Sequence, residues 1–117
     1  MGELKKILKE FKEKYNLRVY VCLKNSEHLI VELEIEELLE LLETALKFEV
    51  FKNKIIYSLF FSFLLTPEQF NKIQEVIVEK NINLRKNDFK NEVYIEFYDF
   101  KIINDILKKL SKVLGGE

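Results

Sequence analysis

The chain has 117 residues, of which 48% are hydrophobic and 33% charged, and its formal net charge is −1. This length suits one domain that buries about two-thirds of its surface, and the balance of residues excludes a disordered chain. A net charge so near zero exerts no overall pull toward nucleic acid or acidic lipid, and a lone cysteine, Cys22, excludes an internal disulfide and suits a reducing compartment.

The N-terminal stretch MGELKKILKEFKEKY mixes charged and apolar residues and lacks the apolar core of a secretory signal, so a cytoplasmic location is expected. Abundant Ile, Leu, Lys and Glu with only two Gln give the composition a thermophile-like cast. Residues 3–15 are predicted as an amphipathic helix, with Leu4, Ile7, Leu8, Phe11 and Tyr15 on one stripe and lysines on the other side. Asn16 ends it. LRVYVCL, residues 17–23, has period two: Leu17, Val19, Val21 and Leu23 oppose Arg18, Tyr20 and Cys22. After a polar turn at 24–27, a second strand is expected at about 28–33, with Leu29, Val31 and Leu33 facing the core.

Residues 35–46 carry Ile35, Leu38, Leu39, Leu41, Leu42 and Leu46 at helical spacing, with glutamates at 36, 37, 40 and 43 outward. A strand at 47–51 and another at 55–65 would form a hairpin around Lys52-Asn53-Lys54. Thr66-Pro67-Glu68-Gln69 then has the chemistry of a helix start: an N-cap threonine, proline in the first turn and glutamine to close a capping box. Strands are expected at 82–86 and 92–98, and Asp99 caps a last helix that Gly115-Gly116 ends.

This succession predicts a single α+β domain over residues 1–117. An N-terminal helix (1–16) precedes three ββα units (17–46, 47–80 and 81–114), which would build a mainly antiparallel sheet of about five to six strands. The helical segments overlay with Leu38, Phe70 and Ile103 in register, and Leu41, Ile73 and Ile106 likewise, as any amphipathic helices following strands would.

IIYSLFFSFLL, residues 55–65, is too short and too sharply bounded to span a bilayer, which takes about 20 apolar residues. As a strand it has one core face (Ile55, Tyr57, Leu59, Phe61, Phe63, Leu65) and a second face (Ile56, Ser58, Phe60, Ser62, Leu64) that is equally free of charge. A half-exposed antiparallel strand ordinarily turns polar residues outward, so something must cover this second face. Tyr20, Cys22, Ile30, Tyr94 and Tyr98 extend it on neighbouring strands, with Arg18, Lys24, Glu32 and Glu96 as a charged rim. Tyrosine, apolar with a polar tip, suits a surface that a partner buries. The candidate binding or dimer face is therefore Tyr20, Ile30, Ile56, Ser58, Phe60, Ser62, Leu64, Tyr94 and Tyr98. The competing expectation is that the N-terminal helix, or helices on both faces, covers it within one chain.

Motifs for chemistry are lacking. Glycine is absent from position 3 through 114, which excludes phosphate-cradling loops and dinucleotide fingerprints, so no cofactor is expected. With one His and one Cys no zinc site is expected, and the glutamates of the second helix read as a solvated face. Cys22 and His28 are the only candidates for a nucleophile–base pair, and ordinary burial and exposure account for both. Charge is unevenly spread: residues 25–50 carry one lysine and eight glutamates, whereas Lys5, Lys9 and Lys12 near the start and Arg85 and Lys86 later form basic patches. The sequence thus favours a non-catalytic protein-binding or self-associating module, a homodimer through an apolar sheet face. The alternatives are a single-stranded nucleic-acid binder using tyrosines and a lysine rim, and an enzyme of unfamiliar type.

Overall fold

Helix α1, Gly2–Tyr15, buries Leu4, Leu8 and Phe11 and ends where Asn16 takes a left-handed φ of 53°. Asparagine tolerates that conformation, and the turn lets the Leu17 N–H bond back to the Phe11 carbonyl at 3.3 Å. The chain then enters β1 (Arg18–Leu23) and β2 (Ile30–Leu33), followed by α2 (Ile35–Phe48), β3 (Ile56–Leu64), α3 (Pro67–Val76), β4 (Ile82–Asn87), β5 (Glu92–Phe97) and α4 (Ile103–Leu114), the last led in by a 3-10 turn at Phe100–Ile102. The computed structural model describes residues 2–23, 29–48, 56–76, 82–87 and 92–115, with side chains for all of these except 45–48, 76 and 82–87.

The strands form one antiparallel sheet in the order β2-β1-β3-β5-β4. β3 is its central strand. Leu59, Phe61 and Phe63 of β3 are fully buried with Val19 and Val21 of β1 and Val93, Ile95 and Phe97 of β5. All four described helices pack on this face. Phe11 of α1 meets Phe63 edge-to-face at 5.7 Å, and Leu38, Ile73, Leu107 and Leu110 bring α2, α3 and α4 into the same core. The N-terminal helix therefore reinforces the core face and does not cross to the other one.

Local caps fix where the helices begin. The Thr66 hydroxyl accepts from Gln69 N–H at 3.1 Å, and the Gln69 side chain accepts from Thr66 N–H at 3.0 Å, the reciprocal box expected from the sequence. Such a cap contributes about 1 kcal/mol. Glu34 N–H donates to the Glu37 carboxylate at 2.8 Å at the head of α2; Asp99, expected to cap the last helix, accepts from Lys101 N–H at 2.9 Å and so caps the 3-10 turn instead, while Ile102, at the N-cap of α4, makes no side-chain cap bond.

Several expectations need correction. The strand expected at 47–51 does not form over Lys47 and Phe48, which continue α2; residues 49–51 lie outside those described. Two hairpin–helix units are present, β1-β2-α2 and β4-β5-α4, while α3 follows the single strand β3 among the described residues. Leu29 and Val31 are on the helix-facing side, as period two requires, but remain 51% and 38% exposed because β2 is an edge strand. The period of β3 also breaks. Leu59 through Leu64 alternate as expected, but Cys22 pairs with Ser58 and the next residue, Leu23, with Ile56, leaving Tyr57 as an extra residue. A bulge of this kind shifts the strand's facing by one residue. Ile56 consequently packs against the helix-side core, and Tyr57 is exposed and edge-on to Tyr98 with ring centroids 5.6 Å apart.

Candidate interaction face

The face of the sheet opposite the helices is built by register. Tyr20, Phe60 and Glu96 stand side by side across β1, β3 and β5; Arg18, Ser62 and Tyr94 form the next row, and Leu64 is opposite Glu92. Tyr20, Phe60 and Tyr94 are half-buried, whereas Leu64 is 40%, Tyr98 40% and Ile30 56% exposed. No described helix crosses this face. It carries eight of the nine residues proposed from the sequence, the exception being Ile56, which the bulge returns to the core.

Polar groups on the face are engaged within the chain. Ser58 donates to the Glu96 carboxylate at 2.8 Å, and Ser62 donates to Glu92 at 2.8 Å. In both cases the serine bonds diagonally to β5, and both serines are almost fully buried. They belong to the floor of the face, not to its contact surface. Glu96, expected on a charged rim, is only 8% exposed and lies in this floor. Alternation along β5 already places Glu92, Tyr94 and Glu96 on one side; their pairing with serines two positions out of register was not readable without the strand order.

At the β1–β2 side, Arg18 forms a two-pronged bond with Glu32, Nε to Oε2 at 3.1 Å and Nη2 to Oε1 at 3.0 Å, and its guanidinium sits 5.9 Å from the Tyr20 ring centre. The hydrogen bond from Arg18, helped by its charge, holds the Glu32 carboxyl below the usual range, and the bond to Glu32, helped by the charges of Tyr20 and Glu32, raises Arg18. A depressed carboxyl means that this contribution is present above the unfolded pKa and disappears as pH falls through the folded one.

The α1 lysines of the basic patch do not join this face, whereas the register of β4 puts Arg85 in the row of Tyr94. Lys5, Lys9 and Lys12 are exposed on α1, within the helix layer, and Lys12 is ion-paired to Glu34 at 3.5 Å. β4 places Arg85 opposite Tyr94 and Lys86 opposite Val93 in the ladder; their side chains, with Lys24 and His28, lie outside the described part. Cys22 is buried opposite Ser58. Among the described residues no three metal-ligating side chains cluster, and no described helix is long and apolar enough to cross a membrane. No family model matches the chain, and neither a curated protein nor a solved structure shows significant similarity to it.

Proposed function

We propose that the chain is a non-catalytic self-associating module that pairs with a second copy through the open face of its sheet. The observation that carries this is the position of Phe60: half-buried, at the midpoint of the central strand, on the face that no described helix covers. A two-fold axis through this point sets Phe60 against its own copy, with Tyr20 and Tyr94 of each chain around the pair, the self-complementary arrangement of a closed dimer. Aromatic anchors at the centre of a patch supply most of the energy of such contacts. Desolvation is tolerable because Ser58, Ser62, Arg18 and Glu32 already have partners within their own chain.

The nucleic-acid alternative is less well supported: Arg18, the cation beside Tyr20, is already paired with Glu32, and the α1 lysines belong to the helix layer, which leaves Arg85 of the basic patch in register with the tyrosine row. Hydroxyl-radical labelling of the intact chain at low and high concentration tests the proposal. Labelling of Phe60, Leu64 and Tyr20 should fall on concentration while that of Leu29 and Val31 stays constant. Unchanged labelling of Phe60 would sink it.

A further inference from the structure

A second apolar surface lies on the helix side, at the edge of β2 that pairs with no other described strand. A groove of about 380 Å³ runs between α2 and the sheet, with Val21, Leu23, Leu33, Leu41 and Ile56 as its apolar lining and Glu37 and Glu40 on its rim. Val31 stands opposite Val21, and Leu29 accepts a hydrogen bond from Leu23 N–H at 2.8 Å. The apolar floor therefore continues to the edge, where Leu29 and Val31 are exposed. The Leu23–Leu29 bond also sets the phase of the ladder: positions 29, 31 and 33 bond to β1, so the backbone groups of Ile30 and Glu32 point to that edge. The described part of this edge carries no proline and no lysine, the devices that ordinarily block an added strand.

We propose that this edge and groove dock an extended segment of another protein, in which a lysine or arginine stands two positions to either side of an apolar residue and so shares its face of the added strand. The segment adds to β2 as a sixth strand, its apolar side chain covers Val31 and the groove floor, and its basic side chains reach Glu37 and Glu40. Charge decides the occupant. Exposed glutamates 36, 37 and 40 crowd the start of α2, next to Glu34, which Lys12 already pairs. Two copies paired β2 to β2 about a two-fold axis would bring these acidic helices toward one another, whereas a basic segment neutralises them.

The test uses the whole 117-residue chain and two fluorescein-labelled peptides, each with a central valine between two threonines, one with lysine and one with glutamate just beyond each threonine, read by fluorescence anisotropy. At low salt the lysine peptide should bind about tenfold or more tightly than the glutamate peptide. Replacing Glu37→Gln and Glu40→Gln together should weaken it about fivefold or more, because two rim charges are lost while glutamine keeps the α2 cap. Ile30→Pro, which removes an outward N–H, should weaken the lysine peptide independently of the rim charge. If proline unfolds the chain, the double glutamine variant decides. Absence of binding, equal binding of both peptides, or unaltered affinity in the double glutamine variant would overturn the proposal. Failure here leaves the open-face dimer standing, since assembly is read separately from the mass of the chain.

Discussion

Replacing Phe60→Asp should leave a folded chain that no longer self-associates. Phe60 is half-buried on the open face, so a carboxylate there still reaches water in the single chain, and the cost to folding is about 1 kcal/mol. In the proposed dimer the same position faces its copy. Two carboxylates would then be desolvated against each other at the centre of the interface, where truncating an anchor already costs about 2–4 kcal/mol. Dissociation should strengthen by about a thousandfold, at 1.4 kcal/mol per factor of ten. Size-exclusion chromatography with circular dichroism on the same sample checks both halves. A variant that unfolds outright would mean that the face is core, and a variant that still dimerises would place the contact elsewhere.

Phe61→Ala, one residue along, should do the reverse: destabilise the fold without touching the contact surface. Phe61 is fully buried under the helices and stacks edge-on against Phe97 at 5.0 Å. Removing the ring loses its transfer energy and leaves a cavity between sheet and helices, which together cost about 3–5 kcal/mol. Against a total stability of about 5–15 kcal/mol this is a large fraction, and the thermal midpoint should fall by about 15 °C. Thermal denaturation at a concentration that keeps the chains apart measures it; a shift of only a degree or two would show that Phe61 is not the core anchor that its burial implies. Adjacent residues of one strand thus give opposite phenotypes, a consequence of period two in a sheet covered on one side.

That contrast shows which features the sequence makes legible. The alternation in LRVYVCL and LFFSFLL names the helix-facing sets correctly, because each strand has one face under helices and no residue is inserted between 59 and 64; it does not name Cys22 and Ser62, which are buried on the other face. The Thr66–Gln69 box is equally plain, since all of its bonds are local. Three features escape such reading. The Tyr57 bulge depends on how β3 meets β1, so a strict alternation misassigns Ile56 to the open face. The exposure of Leu29 and Val31 depends on β2 being an edge, which is a property of strand order and not of β2 itself. The burial of Ser58, Ser62 and Glu96 depends on diagonal pairing between strands far apart in sequence. Each is set by which strand lies beside which, and periodicity within a strand carries no information on that.

The most direct test of the central claim is the mass of the unaltered chain in solution, measured by light scattering behind size exclusion at low and high loading, with absorbance followed at 260 and 280 nm. The open-face account predicts a species of twice the 14.1 kDa chain mass at high loading, with no excess absorbance at 260 nm. A species that keeps the mass of one chain at every loading would contradict it, and a strong 260 nm signal would assign the tyrosine face to nucleic acid instead.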